Sequence, residues 1–225
     1  MDEIAVRRVD FGYFIRPAAE SETGRIRVEP TLGYLIRHPD GFLLVDSGMG
    51  ADPGVDDHYR PTRVPLEDAV RRAGARLDEI RYVTNCHLHF DHCGGNPLLP
   101  GRPVFTQRAE LDLARNTENH TLPELVDPPG LTHVELDGET EILPGVRIVP
   151  TPGHTAGHQS VVVRNPDGTV IVAGQSHDNA TAFTGDALAL RAGAGVGSPP
   201  PWLARLLDLD PRRIVFAHDN AEWTP

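Results

Sequence analysis

A mixed α/β domain of many short strands and a few helices is the fold class this sequence predicts, and three observations predict it. Apolar residues largely alternate over short runs, as at Val6, Val9, Phe11, Tyr13 and Ile15, which is the period of a half-buried strand. Three or four segments carry helix start and stop signals instead, and no solenoid-type period runs through the chain. Finally, a ligand-type residue follows directly after one apolar run after another: Asp46, His87 to His92, His154, Gln175 and His218. Loops at strand ends gather at one edge of packed sheets, so this placement predicts a shared site there.

Taken in order, Ile4 to Arg16 is mostly strand-like, and Pro17 to Arg25 is a polar loop. Leu32 to Arg37 and Phe42 to Val45 form a hairpin about the turn "HPDG", and the second strand runs into "DSGMG", Asp46 to Gly50. An acid at that point either sits in a loop beneath a site or accepts its own backbone amides in a turn. Ala51 to Arg63 is polar and loop-like, either a flap or a plain excursion, and carries His58 and Tyr59. Pro65 to Ala73 is a helix with proline at its start, acids in the first turn and arginines in the last, and Gly74 stops it. A strand through Tyr82 and Val83 leads into Asn85 to Asn96, and a strand at Val104 to Thr106 leads into a helix from Gln107 to Asn116. Thr117 to Gly130 is loop or short helical turns, and Thr132 to Val149 holds two or three strands interrupted at Pro144 and Gly145. The glycine-rich stretch "TPGHTAGHQS" precedes a second hairpin, Val161 to Val163 and Val170 to Ala173, about "NPDG". Gly174 to Pro201 is poor in large apolar residues and reads as a mobile or ligand-covering segment. Pro201 to Leu207 opens a helix, and Ile214 to Ala217 is a buried strand ending at His218.

The 225 residues suit one domain, with 39% hydrophobic and 24% charged residues typical of a soluble globular protein. A formal charge of −11 disfavours nucleic acid and acidic membrane surfaces as partners. No apolar leader follows the first residues, which predicts a cytoplasmic protein. The oligomeric state is open. The two cysteines, Cys86 and Cys93, read as free thiols; a disulfide between them is the alternative. Zinc ligation by Cys86 is disfavoured because it alternates away from His87 on a strand.

"NCHLHFDHCGGN" is the most informative stretch, with His87, His89, Asp91 and His92 close together. Imidazole nitrogen and carboxylate oxygen are donors that zinc and similar divalent cations accept. On a continued strand His87, His89 and Asp91 would share a face; the Gly94–Gly95 pair favours a loop from about Asp91 onward. Either way the residues fan around a small volume, which predicts a metal site.

With "HLHFDH", "TPGHTAGHQS" and a late strand ending in histidine, the chain resembles the metallo-β-lactamase fold superfamily of hydrolases. Within it, "SGMG", "HLHFDHCGGN", "PGHTAGHQS" and "VFAHD" are most similar to the N-acyl-homoserine lactone lactonases, from about Leu32 to Asp219. The resemblance implies an αββα sandwich of two mixed sheets flanked by helices, residues 1–225 forming one such domain, with a two-metal groove between the sheets. By residue matching, His87, His89 and His154 would hold one metal, and Asp91, His92 and His218 the other. Asp46 would match the acid that orients a ligand histidine from behind. The implied chemistry is attack of a metal-held hydroxide on the carbonyl carbon of an ester or lactone, with Asp91 passing the proton to the leaving oxygen.

One position departs from the pattern. After "VIVAG" the family carries an aspartate bridging both metals, and here Gln175 stands there. An uncharged carboxamide is a poorer ligand for two cations at once. Asp91 as the sole anionic ligand leaves about +3 before any hydroxide binds, a strong repulsion in a low-dielectric groove. A weakened second site follows, unless Asp178 or the more remote Asp186 folds in. Asp178 also stands where the lactonases present a tyrosine that assists the substrate carbonyl. Zinc, one or two ions, is the implied cofactor, with iron or manganese accepted by the same donors.

Among other histidines, His158 reads as packing, His177 is open between ligand, substrate and surface roles, and His38 and His133 read as turn and surface residues. His58 and His120 lie in polar loops and read as solvated, with a substrate contact as the alternative. The leading function is therefore a metal-dependent ester or lactone hydrolase acting on a small molecule. The alternatives are a thioester or other ester hydrolase in a biosynthetic pathway, and a metal- or ligand-binding protein that has lost efficient hydrolysis.

Overall fold

The computed structural model describes residues 4–21, 23–193 and 199–225. A seven-stranded sheet contains β1 (Ala5–Arg16), β2 (Arg27–His38), β3 (Gly41–Val45), β4 (Thr62–Arg63), β5 (Ile80–Thr84), β6 (Pro103–Gln107) and β7 (Thr132–Leu136), in the order β4-β1-β2-β3-β5-β6-β7. A five-stranded sheet contains β8 (Thr140–Leu143), β9 (Val146–Pro150), β10 (Gln159–Asn165), β11 (Gly168–Val172) and β12 (Pro211–Val215), in the order β12-β11-β10-β9-β8. The helices are α1 (Pro53–Tyr59), α2 (Leu66–Arg72), α3 (Phe90–Cys93), α4 (Arg108–Asn116), α5 (Pro123–Val126), α6 (Ala180–Ala192) and α7 (Pro201–Leu207). Both sheets are mixed: β3, β5, β6 and β7 run parallel, as do β11 and β12, and the remaining pairs are antiparallel.

Side-chain alternation creates the layers. In β3, Leu43 and Val45 face one way and Leu44 the other; in β10, Val161 and Val163 oppose Val162. The first set, with Tyr34, Ile36, Val146, Ile148, Val172 and Val215, fills the space between the sheets. Leu44 packs outward with Val9, Phe11 and the Leu66 and Val70 face of α2, while Val162 packs outward with Phe183 of α6 and Leu203 and Leu206 of α7. The result is helix, sheet, sheet, helix.

Two segments read as irregular are helical. In Ala51 to Arg63, Asp52 caps α1 by accepting from the amides of Gly54 and Val55 at 2.8 and 3.2 Å, and Pro53 occupies the first helical position. In Gly174 to Pro201, Asn179 accepts from the Ala182 amide at 2.9 Å and starts α6, which buries only Ala180, Phe183 and Ala187. Residues 194–198 of that predicted covering segment lie outside the described residues. Among the described residues, no helix is long and apolar enough to cross a membrane.

Strands β3, β5, β9 and β11 all release the chain at one rim, as does β12 two residues before Ala217. There the sheets are stitched by backbone hydrogen bonds, Gln159 N–H to Cys86 O (2.8 Å) and Leu32 N–H to Ala217 O (2.9 Å), while Ala217 N–H to Gly174 O (2.9 Å) continues the pairing of β11 with β12. Gly94 lets two rim loops touch, since a Cβ there would lie 2.0 Å from the Gly50 nitrogen. The loop after β3 is thereby pressed onto α3.

Candidate metal centre

Beyond Thr84 the chain leaves the strand, crosses His87 and His89 in extended loop, and turns into the single turn of α3, which carries Asp91 and His92. A helical turn, not a strand face, therefore separates the donors. His87 Nε2 lies 2.8 Å from His89 Nδ1, and His154 Nε2, arriving from the loop after β9, lies 3.2 Å from the same atom. On the other side, Asp91 Oδ2 is 3.4 Å from both His92 Nε2 and His218 Nε2, which are 3.2 Å apart. Each triad's donor atoms lie within 4.8 Å of one another.

These distances fit cations. Around one tetrahedral zinc with bonds of about 2.0–2.1 Å, neighbouring donors stand about 3.3 Å apart. Burial pushes His87 well below the ordinary imidazole range, His89 down to about 3 and His154 down to about 4, so the first three rings present free lone pairs. In the second triad, burial opposes a charge on His92, but the carboxylates of Asp91 and Asp46 raise it well above the ordinary value. That pocket favours a positive charge. Burial also opposes ionisation of Asp91, yet His92, His218 and His89 hold its carboxyl well below the usual range.

Support lies behind the donors. Asp46 sits at φ 61°, accepts from the Cys86 amide at 2.8 Å and from His92 Nδ1 at 3.1 Å. That contact fixes which ring nitrogen of His92 faces the triad. His218 Nδ1 donates to Pro30 O at 2.9 Å, doing the same for the other ring. Cys86 does not alternate away, because the strand has already ended. Its Sγ lies 3.2 Å from His87 Nδ1 and 3.3 Å from His92 Nδ1, so that Cys86, His87 and His92 form a third close group of donor types, and burial pushes the thiol up to about 12. Both cysteines are free.

Gln175 points its carbonyl oxygen at the second triad, 3.2 Å from His218 Nε2. Its amide nitrogen donates to Asp178 Oδ1 at 3.4 Å, and Asp178 also meets Arg27 Nη1 at 3.5 Å. Asp186 is engaged by His177 Nε2 at 3.2 Å, and neither acid joins a ligand triad among the described residues. His158 is wholly buried, donating from Nδ1 to Thr151 O at 3.1 Å and accepting the Gln175 amide on Nε2 at 3.1 Å. His177 packs on Phe183 and Trp202.

His38, His133 and His120, the first two away from the site, are less exposed than their sequence surroundings suggest. His38 is buried and meets Pro144 O at 3.0 Å, not solvent. Half-buried His133 lies between Thr106 Oγ1 (3.0 Å) and Val126 O (2.7 Å). His120 is not solvated either: its Nε2 lies 3.1 Å from Glu110 Oε1, and its ring stands 4.6 Å from that of His89. Glu110 is buried; it accepts from the Leu88 amide at 2.8 Å and from Thr155 Oγ1 at 2.6 Å, tying both histidine loops of the first triad to α4. Its only trace in the sequence is an acid on the inward face of a short helix.

Above the triads opens a cavity of about 470 Å³. Phe14, Val55, Tyr59, Phe90 and Leu122 form its apolar wall, and Arg16, Asp91, His120 and Gln175 add polar groups. Tyr59 stacks on Phe90 at 5.2 Å and meets Phe14 edge-on at 5.6 Å. Its hydroxyl donates to Glu20 Oε2 at 3.0 Å, which fastens α1 over the opening.

A family model described as the metallo-beta-lactamase superfamily matches residues 26–218. An N-acyl homoserine lactonase of a Bacillus species is 35% identical over 148 residues, covering 60% of this chain and 58% of that protein. N-acyl homoserine lactonase AttM of Rhizobium johnstonii is 33% identical over 159 residues, covering 61% of this chain and 60% of the relative. The match thus spans about three-fifths of the length of these curated relatives. Of solved structures, an N-acyl homoserine lactone hydrolase with the product N-hexanoyl-L-homoserine bound at its catalytic metal centre superposes with a TM-score of 0.80 at 24% identity, covering 98% of this chain and 95% of the other. AidC, a dizinc quorum-quenching lactonase, superposes at 0.69 with 18% identity, covering 96% of this chain and 87% of the other. With the family model spanning most of the sequence and the same layered fold in its neighbours, the chain belongs to the metallo-beta-lactamase superfamily.

Proposed function

We propose that the chain is a metal-dependent hydrolase that opens lactones, N-acyl homoserine lactones being the first substrates to try. The observation that carries the reading is the pair of donor triads, His87, His89, His154 and Asp91, His92, His218, at the floor of a cavity with an apolar wall. The lactonase names of its relatives supply the substrate class. Divalent cations bound there, zinc first and iron or manganese by the same donors, supply Lewis acidity toward an ester carbonyl.

The chain's own residues do the rest. The Phe14, Tyr59 and Phe90 wall takes up the acyl portion and excludes water from one side of the ester. Asp91, ionised and lining the cavity, takes a proton from the water that adds to the carbonyl carbon and delivers it to the alkoxide oxygen as the ester C–O bond breaks. Asp46 holds His92 in its tautomer, and Glu110 holds the loops of His87, His89 and His154 together. Gln175 offers one neutral oxygen where a shared carboxylate would neutralise two dications, so the second metal is the weaker one.

Metal analysis of purified protein, followed by hydrolysis of lactones, esters and thioesters, tests this. His87→Ala and Asp91→Asn should each lower kcat by about 10²–10⁴-fold; retained turnover in both removes the mechanism. Gln175→Asp should bind the second metal more tightly by chelator competition. Full metal loading without turnover of any substrate favours instead a metal-binding protein that has lost hydrolysis.

A further inference from the structure

Arg16, near the end of β1, is the only lysine or arginine among the described residues that line the cavity. Its Nε donates to Glu29 Oε1 at 2.7 Å, and that oxygen also lies 3.3 Å from Arg27 Nε. Glu29 is 1% exposed and its other oxygen, Oε2, has no hydrogen-bond partner. A buried carboxylate with an unmet oxygen costs stability, and an apolar pair packed in the same space would not. What the arrangement does achieve is orientation. Held at Nε by Glu29, with its guanidinium carbon 5.6 Å from the Phe14 ring centre, Arg16 cannot swing away. Its Nη1 and Nη2 carry no hydrogen bond among the described residues, while the side chain remains 17% exposed at the cavity.

The direction is also defined. Phe14 packs against His218 at 5.6 Å, so Arg16 belongs to the second-triad side of the cavity, together with Gln175. Asp178, where the resembled lactonases present a tyrosine toward the substrate, is occupied by Arg27 and by the Gln175 amide. Arg16 is the one arginine or lysine among the described residues lining this side, and a guanidinium fork matches planar oxygen groups.

We infer that Arg16 is a substrate-binding residue whose Nη donors grip a carbonyl oxygen outside the scissile ester, so that the preferred lactones or esters carry a second acceptor, an amide or a carboxylate. The inference rests on the hydrolase reading above, and the following experiment separates the two. With metal-loaded protein, kcat/KM is measured for N-hexanoyl homoserine lactone (amide), a carboxylate-bearing γ-lactone and plain γ-butyrolactone, in wild type, Arg16→Met and Arg16→Lys. The preference for an acceptor-bearing lactone over the plain one should fall by about 10–100-fold in Arg16→Met, chiefly through KM, since a hydrogen bond from a charged donor contributes about 1.5–3 kcal/mol. Arg16→Lys, which keeps the charge but not the fork, should restore part of it. The amide and carboxylate arms say which acceptor is favoured. An equal loss on all three lactones, or an unchanged preference in both variants, overturns the inference. Should wild type open none of the lactones, the hydrolase reading fails, and binding decides on Arg16. Calorimetric titration with the intact N-hexanoyl homoserine lactone and γ-butyrolactone should show a preference for the former in wild type that Arg16→Met lowers by about 10-fold or more; equal affinities in wild type, or an unchanged preference in Arg16→Met, overturn the role.

Discussion

At the scale of single residues, the site depends on which atom each side chain turns forward. Gln175 differs from an aspartate in that position by charge as much as by shape, and its oxygen already stands 3.2 Å from His218 Nε2. Asp46 acts from behind by holding His92 Nδ1 at 3.1 Å. Asp46→Asn keeps the size but reverses one donor–acceptor preference, and should weaken metal binding by about 10–100-fold in a chelator competition. Unchanged affinity would reduce Asp46 to a turn residue. The six side chains that converge at the rim were legible because four lie within one short stretch and His154 and His218 follow apolar runs. Arg16 and Glu29 were not: their pairing is set by the register of two long strands, in which Phe14 opposes Glu29, and no local pattern states that register. Glu110 and His120 meet only because the loop after α4 folds back, which residue types do not announce.

At the scale of elements, both hairpins and the helix after Pro65 were readable from alternation, turn residues and caps. The Asp52–Pro53 start of α1 was also present in the sequence, but the polar composition of the stretch outweighed it. In α6 the difficulty was physical: Phe183 is the one large residue that packs, beside the small Ala180 and Ala187, while Leu188 and Leu190 remain exposed, so the apolar stripe is faint. α7 carries far more of the outer layer. Leu203 is fully buried among Phe183 and Phe216, and Leu203→Ala should destabilise by about 2–5 kcal/mol in denaturant titration. The same helix is clasped to the smaller sheet through Glu139, whose Oε1 meets Arg205 and Arg147, each at 2.7 Å. Arg205 and then Arg147 hold the Glu139 carboxyl down to about 2, against partial desolvation. Its stabilisation is therefore complete above the ordinary glutamate range and is lost as pH falls from there through about 2. Relative to wild type, Glu139→Gln should be less stable at neutral pH and lose that difference in acid; a constant gap in melting temperature across this window would show that the clasp contributes nothing.

At the scale of the whole molecule, each triad draws donors from both sheets. His87 and His89 enter from the larger sheet and His154 from the smaller; Asp91 and His92 are joined likewise by His218. A metal held there would be linked to folding, so removing it with a chelator should lower the melting temperature, with the loss growing with prior metal concentration. A melting curve indifferent to metal would mean that the rim holds its shape unaided. Under mechanical load, cations held in the triads would behave as rivets through overlapping plates. Pulling the sheets apart at the rim strains both coordination sets at once, so force applied across the seam of the metal-loaded protein should free the weaker, Gln175-side ion first and then the other, before either sheet unravels strand by strand.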